Sequence, residues 1–208
     1  MKHDLDINTP KGQESLKYER QAINILEMKV GGSYVSTPKE LPADVDYIKM
    51  DGDIMTAVLE VKCRNDAVSV FRGVWKNEWL ITSEKIDKGK RAAIALQVPF
   101  WGVLYSIPDD TVLLQPIYCP IRKKMLTKER REVTDTQATV NGGEARRMNS
   151  FIDISKAKVV KPPWAQTNEE WWADHDSYSS LGRLRAAPHE QAPGHLARLL
   201  LHNGHGEH

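Results

Sequence analysis

Asp46, Glu60 and Lys62 are the residues whose types and spacing can do chemistry in this chain. They stand in Asp46-Tyr-Ile-Lys-Met-Asp-Gly-Asp-Ile-Met-Thr-Ala-Val-Leu-Glu60-Val-Lys62, which reads as a β-hairpin turning at Asp51-Gly52. Alternate residues of a strand share a face, so Glu60 and Lys62 project together and Val61 points away. The hairpin brings Asp46 alongside them. Two carboxylates and an amine gathered there can hold a hard cation and steer a water molecule, which is the equipment for metal-assisted cleavage of a phosphodiester. Asp46 and Glu60 would ligate Mg²⁺, with the backbone carbonyl of Val61 as a third protein oxygen. Lys62 would orient the attacking water and neutralise developing charge. The plainer reading is an exposed hairpin whose acid–lysine pair is a surface ion pair worth under ~1 kcal/mol.

The elements that must position these groups follow from patterning. Leu16, Ile23, Leu26 and Val30 recur at helical spacing over residues 13–30, and Gly31-Gly32 stops the helix. Glu19 falls on that apolar stripe, where an acid is costly unless something pairs with it. It therefore needs an explanation that the plain reading of the hairpin does not supply. Short strands are expected at 33–36, 45–50 and 54–63, with a loop from Pro38 to Pro42. Residues 65–82 show no single period and carry Phe71, Trp75 and Trp79. Ser83 is placed to cap a helix over 84–97, with Ile86, Ala93, Ile94 and Leu96 as its apolar face. Phe100–Ile107 and Thr111–Ile117 read as strands around a Pro108-Asp-Asp turn, and Phe151–Ser155 as one last strand.

Composition sets outer bounds. The 208 residues are 40% hydrophobic and 27% charged, ordinary for a soluble globular protein. A formal charge of +1 makes no global case for nucleic-acid binding, so any basic surface must be local. Cys63 and Cys119 read as free thiols of a reducing compartment. No apolar run reaches the roughly 18 residues of a membrane span, and the expectation is a cytoplasmic protein.

The helical Glu19 in Tyr-Glu-Arg-Gln-Ala, the strand Asp46, the Glu60-Val-Lys62 pair and a following helix with Lys85 in Ile-Thr-Ser-Glu-Lys-Ile-Asp-Lys-Gly resemble the PD-(D/E)xK nuclease superfamily. The resemblance covers roughly residues 13–118, and its layout is most similar to Holliday-junction resolvases and small phage nucleases. It implies an α/β restriction-endonuclease-like core of order α-β-β-β-α-β, a central mixed sheet flanked by helices. It implies a Mg²⁺-dependent deoxyribonuclease, with Mn²⁺ as a substitute, serving DNA processing, repair or recombination. Asp46, Glu60, Lys62 and Glu19 would be its catalytic residues, and Lys85 would touch phosphate. The family's Pro-Asp is interrupted here as Pro42-Ala43-Asp44, so Asp44 competes with Asp46 for the metal. The two share strand parity, but apolar Tyr47 and Ile48 directly follow Asp46 and favour it. A module that binds nucleic acid on the same fold without catalysis is the alternative reading.

The remaining residues are read by charge and composition. Arg122, Lys123, Lys124 and Lys128 belong to a basic run over 122–131 that can grip a nucleic-acid backbone, or can be only a solvated loop. Lys88 and Gln97 read as surface groups. Trp75 and Trp79 suit a core or partner face better than stacking on bases. Cutting both strands of a duplex favours a homodimer. The organisation expected is an arm at 1–12, a nuclease core at 13–118, a basic loop and added strand at 119–160, and a tail at 161–208. In that tail Trp164, Trp171 and Trp172 would dock on this core, a second subunit or a protein partner. Residues 177–208 are rich in Ala, Pro, Gly and His and lack the surface to bury a core of their own. Deleting them should leave a folded, soluble protein with an unchanged melting temperature; loss of the folded protein would show that the tail belongs to the domain.

Overall fold

A computed structural model describes residues 8–39, 43–135 and 146–165. The first helix, α1 (Pro10–Val30), starts earlier than patterning suggested. Thr9 is its cap, accepting from the Gly12 amide at 3.0 Å, and Pro10 sits in the first turn, where its missing N–H costs nothing. The arm expected at 1–12 is therefore helical from residue 10, and residues 1–7 lie outside the described part. Gly31 closes the helix at φ +74°, with its amide donating to the Leu26 carbonyl at 3.2 Å.

Three antiparallel strands follow: β1 (Ser33–Ser36), β2 (Tyr47–Asp51) and β3 (Ile54–Arg64). The hairpin between β2 and β3 pairs Asp51 with Ile54, so its central residues are Gly52 and Asp53, one position later than read from the sequence. Gly52 takes φ +60° at the first central position, where a type II′ turn calls for glycine. The stretch 65–82, which showed no period, folds into a short helix, α2 (Val68–Arg72), and a strand, β4 (Glu78–Thr82). The second long helix, α3 (Ser83–Leu96), has Thr82 and not Ser83 at its N-cap position, with no side-chain cap hydrogen bond. Ser83 is buried, with its hydroxyl 2.8 Å from that of Ser150. Ile86 and Ala93 are fully buried on α3 as expected, but Ile94 and Leu96 are 48% and 43% exposed. Counted in turns of 3.6 residues, both have rotated past the contact face.

Strands β5 (Phe100–Ser106) and β6 (Thr111–Cys119) complete the centre of the main sheet. Its order is β1-β2-β3-β5-β6-β10, where β10 is Lys158–Val160, with β7 (Lys124–Met125) pairing onto β6. The sheet is mixed, because β3 and β5 run parallel while their other pairings are antiparallel. A second sheet sets β4 beside β9 (Arg146–Asp153) and β9 beside β8 (Glu129–Asp135). Two corrections follow. The segment 119–160, expected as a basic loop and one added strand, carries β8, β9 and β10 among its described residues, and the core does not close at 118, since β10 pairs with β6 from residue 158 onward.

Strand alternation sorts the core into two faces. Ala57, Leu59 and Val61 of β3 pack with Ala22, Ile23, Ile25 and Leu26 of α1. Val58 packs on the other side with Trp79, Ile81, Ile86, Phe100 and Ile152, beneath α3 and the second sheet. Trp79 needs a hole to reach that sheet, and Gly102 provides it: a Cβ there would sit 2.4 Å from the Trp79 ring and 2.9 Å from Ile117 Cδ1. Trp75, by contrast, is 52% exposed. Gly102→Ala should lower stability by about 1–3 kcal/mol through overpacking, measured by chemical denaturation; an unchanged midpoint would show that the Trp79 ring has room to shift.

Candidate active site

Strand β3 is apolar from Ala57 to Val61 except at Glu60 and turns polar at Lys62, and this interruption places the site. Val61 is buried toward α1. Glu60 and Lys62 point together to the opposite face, as the period of two requires. Asp46 lies just before β2, and continuing the Tyr47–Leu59 register by one residue sets it opposite Glu60. Its backbone amide donates to the Leu59 carbonyl at 2.9 Å. Its carboxylate Oδ2 accepts from the Val61 amide at 2.8 Å, which fixes the side chain against β3.

Lys85, in the first turn of α3, reaches both acids: its Nζ is 3.2 Å from Glu60 Oε2 and 3.6 Å from Asp46 Oδ1. Lys62 Nζ is 3.0 Å from Glu60 Oε1. That contact is off the line a hydrogen bond needs, and Glu60 Oε1 is buried without an aligned donor. Glu19 arrives from α1, but through an intermediary. Lys39 Nζ is 3.0 Å from Glu19 Oε2 and 3.8 Å from Asp46 Oδ1. Asp46, Glu60, Lys62, Lys85 and Glu19 thus join one network, and Lys39 completes it.

Lys39 escaped the sequence reading. It sits in a loop between Pro38 and Glu40, where no periodicity marks a side chain, and only the fold shows what it faces. Asp44 does not join the network; it is exposed, with its carboxylate 3.9 Å from Arg91. Parity could not separate the two, but register does: Asp46 lies level with Glu60, and Asp44 lies two residues further out. Lys88 pairs with Glu84 at 2.8 Å on the helix surface, and Gln97 caps α3 in the left-handed region at φ +56°. Both are the surface groups expected.

Electrostatics divides the cluster. Burial works to raise the Asp46 carboxyl, but Lys62, Lys85, Lys39 and the Val61 amide outweigh it, and its pKa falls below the usual 3.8. Glu60 has no solvent exposure, and burial pushes its carboxyl above the ordinary range, the Asp46 charge acting in the same direction. Burial also works against the Lys62 ammonium, yet Glu60 and Asp46 hold its pKa above the usual lysine value. Lys62 therefore keeps its proton at neutral pH and can donate or neutralise charge, but cannot accept a proton. Cys63, next along β3, is pushed up to about 12 by burial, which makes it a packing residue and a poor nucleophile. Both cysteines are free.

The residues fit a divalent cation in one respect and fall short in another. A single ammonium spans the Asp46 and Glu60 carboxylates where a cation would sit, and a buried carboxylate oxygen beside it lacks an aligned donor. Yet among the described residues no three His, Cys, Asp or Glu side chains gather as a ligand set.

The basic run is not one surface. Arg130 pairs with Glu78 at 2.9 Å and with Glu132, and its guanidinium lies 4.0 Å from the centre of the Phe151 ring. Arg131 pairs with Asp87 and Glu129, both at 2.7 Å. Arg122, Lys123, Lys124 and Lys128 are exposed, and Lys128 lies beside Asp153, whose amide donates to its carbonyl at 3.0 Å. Trp164 is 68% exposed with its indole N–H donating to Asp110 at 3.1 Å, while Trp171, Trp172 and the histidine-rich end lie outside the described residues. No helix among the described residues is long and apolar enough to cross a membrane. Compared with known proteins, the chain matches no protein-family model and no curated protein.

Asp46 has its pKa lowered by folding, so its charge stabilises the native state above the unfolded value of about 3.8, and this is lost as pH falls below it. Asp46→Asn should therefore cost about 1–2 kcal/mol at pH 7 in chemical denaturation. The gap to the natural protein should narrow as pH falls below 3.8; a gap that stays constant as pH falls would assign the effect to the side chain's shape, not its charge.

Proposed function

We propose that the protein is a Mg²⁺-dependent deoxyribonuclease with a restriction-endonuclease-like core. The observation that carries the reading is the meeting of Asp46, Glu60 and Lys62 on one face of β3, with Lys85 of α3 spanning both carboxylates. The element order supports it: α1, β1, β2, β3, then α3 and β5, with α2 and β4 inserted before α3. DNA would be the partner, and cutting both strands would call for a homodimer.

Asp46 and Glu60 would hold the cation, Mn²⁺ substituting for Mg²⁺, with the Val61 carbonyl as a further oxygen. When bound, the metal stabilises negative charge developing on the phosphate and favours ionisation of water at neutral pH. Lys62 carries its proton and stands beside Glu60, placed to orient the attacking water and to neutralise charge in the transition state. Lys85 is tethered to a helix start and 29% exposed, so it can exchange its carboxylate partners for a phosphate oxygen of the substrate. Glu19 acts at one remove, by holding Lys39 against Asp46. Arg122, Lys123, Lys124 and Lys128, all exposed, would contact backbone phosphates away from the cut.

One observation favours the binding-only alternative. Three carboxylates face three ammoniums, and a balanced network of this kind holds together without a metal.

The discriminating experiment incubates the purified protein with linear, circular and branched DNA in Mg²⁺, Mn²⁺ or EDTA. Cleavage should require metal. Lys62→Ala should reduce it by at least about 100-fold while leaving DNA affinity within a few fold, because the interaction it removes belongs to the transition state. Full turnover in EDTA would remove the metal-dependent mechanism; binding of DNA with no cleavage under any metal would leave the binding module. Glu19→Gln should slow cleavage more than it lowers the melting temperature, and unchanged turnover would make Glu19 a structural residue only.

A further inference from the structure

Asp46 belongs to two pairs of carboxylates, and each pair is spanned by an ammonium. Lys85 spans Asp46 and Glu60. Lys39 spans Asp46 and Glu19, at 3.8 and 3.0 Å. The two lysines are held differently. Lys85 reaches in from the surface of α3. Lys39 is fixed from several sides: its Nζ lies 4.8 Å from the centre of the Tyr47 ring, and its side chain is only 19% exposed. The segment carrying it is tied to the residue it serves. The Thr37 hydroxyl donates to the Val45 carbonyl at 2.7 Å, and the Thr37 amide donates to the Asp46 carbonyl at 3.0 Å.

Resting on the metal-dependent reading above, we propose that Lys39 is a built-in cation, its ammonium holding the position between Glu19 and Asp46 that a second divalent ion would need. The site then takes one divalent cation per chain, at the Asp46–Glu60 pair. Ligand geometry gives the reason for exclusivity: Mg²⁺ binds oxygen at about 2.0–2.1 Å, so an ammonium already in contact with Glu19 Oε2 and an ion on the same oxygens cannot share the space. Charge gives a second reason. Three carboxylates are matched by three ammoniums, and one divalent ion replacing Lys85 already tips the cluster positive. A second ion beside Lys39 would add two more positive charges with no further acid among the network's members to meet them. Lys39 is thus a positioning residue, setting the number of metal ions and holding Glu19 in register with Asp46.

Calorimetric titration of the full chain with Mg²⁺, without DNA, tests this. The natural protein should bind one ion per chain. Lys39→Met, which keeps the length of the side chain and removes its charge, should bind two. Lys39→Arg should return to one, and the double variant Lys39→Met with Glu19→Gln should also bind one, because the second site has lost an acid. Two ions in the natural protein, or one in both it and Lys39→Met, overturns the inference and leaves the metal-dependent reading standing. No ion bound by any of them removes that reading and this inference together. Thermal melting of each variant without metal confirms that the loop substitution leaves the fold in place.

Discussion

Glu60 carries a carboxylate into a position with no solvent exposure, and a buried charge must be matched or neutralised. The surrounding structure supplies that match from separate elements. Lys62 comes from the same strand face and Lys85 from a helix more than twenty residues later, while Asp46, on the approach to the neighbouring strand, adds a like charge and brings Lys39 as a further cation. None of these is a strong interaction alone, because each ammonium gives up hydration to reach its partner. Together they hold two acids close enough to repel each other, which burial in an apolar core would otherwise forbid.

The apolar frame explains how such a cluster can persist. On β3, Ala57, Val58 and Leu59 are buried on both faces, with α1 under one and Trp79, Phe100 and Ile86 over the other. The strand runs out of this double cover after Val61, and the polar end emerges at Lys62, where α3 begins. The helix starts at Ser83, whose hydroxyl is tied to Ser150 of the second sheet, so the first turn of α3 is anchored and Lys85 is delivered at a fixed height above β3. The notch at Gly102 lets the Trp79 ring settle against the sheet in the row that also holds Glu60 and Gln115. The second sheet is therefore a roof whose placement determines how far Glu60 is removed from water.

Much of this was legible from residue order. The alternation Val58, Leu59, Glu60, Val61, Lys62 assigns faces without ambiguity, and a strand period of two cannot be satisfied any other way. Glu19 on an apolar helical stripe was a visible anomaly, and it has a polar partner. The errors have common causes. Ser83 looked like a cap by type, but its hydroxyl found a buried partner in Ser150. Residues 65–82 alternate too briefly for their period to show, so α2 and β4 went unseen. By composition the basic run over 122–131 is a backbone grip or a solvated loop, yet Arg130 and Arg131 are consumed by acids from β4 and α3 that are distant in sequence.

The sequence by itself determined the hairpin, the shared face of Glu60 and Lys62, the two long helices and the candidate acids, because these depend on local periodicity and on turn residues. Only the tertiary structure decided between Asp44 and Asp46, since the two have the same strand parity and differ only in which one lies level with Glu60 once β2 is in register. Only it brought Lys39 to Glu19, because a loop lysine carries no periodic mark and its partner is twenty residues away. It also decided that β10 joins the main sheet and that β8 and β9 form a roof, because strand pairing across long separations is fixed by which apolar faces remain to be covered, and that is a property of the assembled layers.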